Sequence, residues 1–237
     1  MTNINNRYPI LPKEELNEIQ TFLLELAEEL LVKKKKRNLY PLELLEAAKE
    51  RSNYPESELF QNIMELYKAK WIVPGESLLK KQVLNTLRHR DIYYYIIENP
   101  GCDTLNIMRD LNISFRYALR NLETLFIFGF IRARKYSQYF LYFPYFMKEE
   151  EDMLYCVTRN KTVREILRFL LEKKVPMNVY EIAQALNKKE ITIQRKLPRL
   201  VQYQFISLVQ VGMRSKYTIN KLDNEKFRKI LKRYKEL

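Results

Sequence analysis

Leu125-Phe126-Ile127-Phe128-Gly129-Phe130-Ile131-Arg132 joins the end of a helix to the start of a strand. Upstream, Ala118, Leu122 and Leu125 recur at helical spacing, which puts them on one buried stripe. Gly129 sits where a helix needs a left-handed residue to stop. Downstream, Phe130–Lys135 and Tyr139–Phe143 read as two strands around the turn Tyr136-Ser137-Gln138. The same phrase occurs twice more, as Leu66-Tyr67-Lys68-Ala69-Lys70-Trp71-Ile72-Val73 and as Leu200-Val201-Gln202-Tyr203-Gln204-Phe205-Ile206-Ser207. Each time a helical Leu is followed five residues later by an aromatic residue and then Ile.

Repetition on this scale predicts three copies of one supersecondary unit. The apolar stripes Leu59, Ile63, Leu66 and Ile193, Leu197, Leu200 precede the first and third phrases. Shorter helices are predicted before them at Leu42–Lys49, Thr104–Leu111 and Val179–Leu186, and longer ones before those at Glu14–Leu31, Gln82–Glu98 and Thr162–Glu172. The third copy ends in its own hairpin, Phe205–Val211 and Lys216–Ile219 around Gly212-Met213-Arg214-Ser215, whereas Pro74-Gly75 cuts the first one short. The expected fold is mainly α with small β-hairpins, an α+β array. Its modules are 1–81, 82–146 and 159–237, with a linking helix over 147–158 that begins in the acidic run Glu149-Glu150-Glu151-Asp152.

These phrases resemble archaeal tandem winged helix-turn-helix transcriptional regulators of the broad ArsR/MarR-like type. The elements that carry the resemblance are Glu98-Asn99-Pro100-Gly101, Leu111-Asn112-Ile113-Ser114 and Phe128-Gly129-Phe130-Ile131-Arg132, with Ala185-Leu186-Asn187 and Phe205-Ile206 in the third module. It covers about residues 82–220 and more loosely 13–75. It implies a tandem array of three winged-helix modules, each hairpin being a wing. Winged helices also serve as pure protein-binding modules, as in ESCRT-II subunits, so the fold alone does not choose between DNA and protein.

Charge favours a polyanion. Residues 1–158 hold 22 Lys and Arg against 22 Asp and Glu, while residues 159–237 hold 20 against 7, so the whole net charge of +13 sits in the last third. Localised positive charge is the footprint of nucleic acid; the alternative is a solvated basic surface. The third helix of each module is the test, because that helix enters the major groove in a helix-turn-helix. In module one it opens Pro55-Glu56-Ser57-Glu58 with Gln61 and Asn62 one turn on, a poor phosphate neighbour. In module two the resemblance places Arg116, Tyr117, Arg120 and Asn121 where DNA contacts are made, with Arg132, Arg134 and Lys135 on the wing. In module three the face is Lys188, Lys189, Thr192, Gln194, Arg195, Lys196 and Arg199, with Arg214 and Lys216 on its wing. Pro198 lacks the amide hydrogen a helix needs and should bend that helix. Further Lys and Arg fall in the run Lys33–Arg37 and in a C-terminal helix over Asn224–Leu237.

Two features point elsewhere. Phe126, Ile127 and Phe128 are consecutive, and three neighbours on a helix cannot all enter one core; at least one should meet another module or a protein partner. Phe22, Leu24 and Leu31 add apolar positions beyond one stripe of the first helix, which suggests a homodimer. Enzyme chemistry finds little footing. His89 is the single histidine, Cys102 and Cys156 have no metal-ligand spacing, and no phosphate-cradling glycine loop occurs. We therefore expect a non-enzymatic, cytoplasmic protein with no metal, no cofactor and no membrane insertion. Its expected partner is double-stranded DNA, and the competing reading is a tandem scaffold for protein assembly.

Overall fold

The computed structural model describes residues 16–33, 38–212, 214–220, 227–228 and 230–231. The basic run beyond Lys33 and most of the expected C-terminal helix lie outside them. Among the described residues the protein is mainly helical with two antiparallel hairpins, a winged-helix-like α+β architecture. It divides into two compact units, Met1–Phe146 and Met147–Leu237.

The first unit begins with α1 (Glu18–Lys33), α2 (Pro41–Arg51) and α3 (Glu56–Lys68). Leu23, Ala27 and Leu30 of α1 share a buried core with Leu44 and Ala48 of α2 and Leu59, Ile63 and Leu66 of α3. Leu24 and Leu31 belong to the same core, and Phe22 packs against it. The apolar surplus that suggested self-association is thus used within the unit. After α3, Ile72 pairs with Leu79 in a single antiparallel bridge, so the first hairpin is reduced to one rung, as Pro74-Gly75 led us to expect.

The predicted helix Gln82–Glu98 is instead two, α4 (Lys80–Val83) and α5 (Leu87–Glu98). The Asn85 and Thr86 amides bond to Gln82 and Val83 three residues back, a tightened turn that ends α4. The Nδ1 of His89 then reaches the Val83 carbonyl at 3.0 Å, so the single histidine satisfies a helix end.

α6 (Thr104–Leu111) and α7 (Phe115–Ile127) follow, then β1 (Ile131–Tyr136) and β2 (Tyr139–Pro144). The α6 N-terminus is a capping box: the Asp103 carboxylate accepts from the Asn106 amide at 2.9 Å, and Asn106 Oδ1 accepts from the Asp103 amide. Asn112, at φ 51°, ends α6 in the left-handed region, which Asn tolerates. The hairpin runs from Ile131 opposite Pro144 to Tyr136 opposite Tyr139. Cys102, just before α6, bridges to Tyr142, tying the hairpin to the start of the helix-turn-helix.

The second unit repeats this plan. α8 (Glu149–Thr158) precedes α9 (Lys161–Lys173), α10 (Val179–Ala185), α11 (Glu190–Gln194), α12 (Leu197–Gln202), β3 (Ile206–Val211) and β4 (Arg214–Ile219). Asn178 and Glu181 form the capping box, Asn187 takes the left-handed turn at φ 49°, and Met177 bridges to Tyr217 as Cys102 does to Tyr142. The expected bend at Pro198 is a full break between α11 and α12, with proline in the first turn of α12, where its missing amide hydrogen does no harm. Asp152 of the acidic run is fully buried rather than solvated.

The phrase that identified the repeats now has a physical cause. Trp71, Phe130 and Phe205 each donate their backbone N–H to the carbonyl of the Leu five residues earlier, all at 2.9 Å. This is the long bond of a Schellman helix end. Each end needs a left-handed residue, supplied by Lys70 at φ 61°, Gly129 at φ 72° and Gln204 at φ 58°. Only Gly129 takes this conformation without strain. A Cβ there would also stand 3.1 Å from Cδ of Lys70. Gly129→Ala should therefore lower stability by about 1–2 kcal/mol, and Gln204→Gly should raise it by roughly 0.5 kcal/mol. Urea unfolding midpoints at unchanged m-value measure both.

Candidate nucleic-acid interface

In the first unit α7 presents its opening turns outward. Arg116 and Arg120 are exposed, and Phe115, Tyr117 and Leu119 lie among them as exposed apolar surface. Asn121 is not part of this face. It is 5% exposed, and its Nδ2 donates to the Tyr117 carbonyl at 2.7 Å. Its place three residues after Ala118 and four before Leu125 already put it beside the buried stripe. Asn62 of α3 does the same, donating to the Glu58 carbonyl at 2.9 Å. The acidic opening of α3 is partly tied down, with Glu56 3.1 Å from Lys49.

The two helices before α7 are tied to each other. The Tyr95 phenol of α5 donates to Asp110 of α6 at 2.6 Å, and Arg109 Nε donates to the same carboxylate at 2.7 Å. These two donors hold the Asp110 carboxyl below its ordinary value, while burial and the Asp110 bond push the Tyr95 phenol up. For a depressed carboxyl, stability is full above the ordinary carboxylate range and is lost as pH falls below it, so this tie between α5 and α6 weakens in acid.

On the β1–β2 hairpin Lys135 is exposed, with exposed Phe140 opposite it. Arg132 is drawn inward, its guanidinium 5.5 Å from the Phe143 ring centroid, so it is not the free phosphate contact the sequence suggested. Arg134 is half-buried.

In the second unit Lys189, Gln194, Arg195 and Arg199 are exposed, while Thr192 and Lys196 are half-buried. Lys188 turns away from the face, its Nζ 3.0 Å from Glu165 of α9. Lys216 lies 3.8 Å from Glu181. The side chain of Arg214 lies outside the described residues. The basic face is therefore narrower than its sequence and centres on Lys189, Arg195 and Arg199.

Phe126, Ile127 and Phe128 part company. Phe128 is fully buried, Ile127 packs against the same core, and Phe126 is 47% exposed. Lys70 Nζ sits 5.8 Å from the Phe126 ring centroid. The apolar patch reduces to one residue.

Among the described residues no cluster of three or more His, Cys, Asp or Glu side chains is placed to hold a metal, and no helix is long and apolar enough to cross a membrane. Cys102 and Cys156 are buried.

Fold and face together are those of a winged-helix-like α+β protein with exposed arginines on α7 and around the α11–α12 junction. No family model matches the chain. It is 30% identical over 141 residues to an uncharacterized HTH-type transcriptional regulator of Methanocaldococcus jannaschii, across 60% of this chain and 35% of that protein. The chain thus spans about a third of the length of the relative it matches.

Proposed function

We propose that this chain is a DNA-binding transcriptional regulator built from three winged-helix modules, 1–81, 82–146 and 159–237, joined by a linking helix over 147–158. The observation that carries the reading is the pair of matching helix-turn-helix layouts, Asp103-to-Arg120 and Asn178-to-Arg199. Each has a capping box, a left-handed Asn in the turn and exposed arginines beyond that turn, Arg116 and Arg120 on α7 and Arg195 and Arg199 at the end of α11 and on α12. The name of the archaeal relative supports it. Module one, with its acidic third helix and one-rung hairpin, serves structure rather than DNA.

The two reading modules divide the work. Module three supplies phosphate contacts through Lys189, Arg195, Lys196 and Arg199. Module two supplies sequence preference through Arg116 and Arg120, because base contacts specify while phosphate contacts position. Tyr117 and Lys135 flank that pair. The scaffold alternative rests on the Phe126–Phe128 patch, the acidic first module and its reduced wing; of the patch only Phe126 stays exposed.

Selection from a randomised duplex library, followed by affinity measurement on the enriched and unselected pools, tests this division. Arg116→Ala with Arg120→Ala should weaken binding to the enriched pool by about 1–3 kcal/mol per lost base contact and leave the unselected pool unchanged. Equal weakening on both pools would remove base reading from module two.

A further inference from the structure

A cavity of about 460 Å³ opens in the first unit, where the helix end Ala69-Lys70-Trp71 meets the equivalent end Gly129-Phe130. Its size suits a small organic ligand, since such sites run from ~300 to ~1,000 Å³. Its chemistry is unusual for a structural gap. Lys68, Lys70, Lys80 and Lys81 line it, and none of its lining residues is Asp or Glu. The walls between them are aromatic, chiefly Trp71, Phe130 and Tyr145. Lys81 is held by Glu28 at 2.5 Å. Lys80 donates to the Ala69 carbonyl at 3.1 Å and stands 5.3 Å from the Trp71 ring centroid, so its charge is fixed against the aromatic wall. The stem of Lys70 lies over the bare Cα of Gly129 and its Nζ stands 5.8 Å from the Phe126 ring centroid. Burial raises the Tyr93 phenol at the cavity to about 12, so it stays a neutral donor.

We propose that this cavity is a binding site for a small planar aromatic anion, its ring stacked among Trp71, Phe130 and Tyr145 and its charge met by Lys70 and Lys80. Pre-placed ammonium groups beside apolar walls favour a ligand that carries both features over one that carries either alone.

Trp71 is the single tryptophan of the chain, so its fluorescence reports on the cavity directly. The full chain is titrated with naphthoate, with naphthalenemethanol as the neutral analogue and with cyclohexanecarboxylate as the non-aromatic anion. The expected result is a saturable change with naphthoate and affinity about tenfold or more weaker for each of the other two. Lys70→Gln should weaken naphthoate by a similar factor, and Lys70→Arg should restore it. Tyr145→Ala, at an exposed rim position, weakens it without touching the core, which keeps the test valid where the lysine variant fails to fold. Equal response to the neutral analogue, or no saturable response, overturns the proposal. So does a Trp71 signal that follows protein concentration instead of ligand, since that would mean a second copy covers the cavity. DNA binding does not enter these measurements, so their failure leaves the regulator reading standing.

Discussion

Replacing Arg195, Lys196 and Arg199 together by Ala should weaken binding to DNA of any sequence, by about 10²–10³-fold at 0.1 M salt. Each phosphate contact contributes ~0.9 to the slope of log affinity against log salt, so three lost contacts flatten the slope by about 2.7. Arg195 and Arg199 are exposed and Lys196 is half-buried, so the change removes charge without opening the core. α11 ends at Gln194 and α12 begins at Leu197 with Pro198 in its first turn, so the basic residues sit at the junction of two short helices and not along one continuous helix. Fluorescence anisotropy with an unselected duplex at two salt concentrations measures both quantities. An unchanged affinity would make the basic third a solvated surface, and the scaffold reading would then gain.

Phe128→Ala destabilises the first unit by about 3–5 kcal/mol, the usual loss for a buried aromatic side chain that leaves a cavity. Phe128 is fully buried in the core formed with Ile92, Ile96, Leu122 and Phe130. Phe126→Ala, two residues away and 47% exposed, changes stability by no more than about 0.5 kcal/mol. Urea unfolding followed by Trp71 fluorescence separates them, because Trp71 belongs to the first unit alone. A large loss from Phe126→Ala would mean that this ring is covered in solution by a partner.

How far the sequence was legible depended on how local each cause was. The Leu-to-aromatic spacing was readable because the Schellman bond links residues five apart, and α6 matches its expected range Thr104–Leu111. Asn121 misled through its identity: an amide suits adenine, but its position beside Ala118 and Leu125 buries it. The break between α4 and α5 falls on Leu84-Asn85-Thr86, which contains neither Pro nor Gly; its one local mark is Thr86, a residue type favoured at helix starts and here the N-cap of α5. Lys188 looked free until Glu165, 23 positions earlier, was placed 3.0 Å away. The lysine-lined cavity needs two repeat ends side by side, and no spacing rule encodes that. Phe126–Phe128 was read correctly as unable to enter one core together, yet only packing decided which ring stays outside.

The measurement that bears most directly on the account is equilibrium binding of the intact chain to double-stranded DNA across a salt series, against a neutral-polymer control. The expected result is tight binding at low salt that falls steeply as salt rises, with a slope that reflects six or so phosphate contacts. Binding at low salt no tighter than to the neutral control would contradict it.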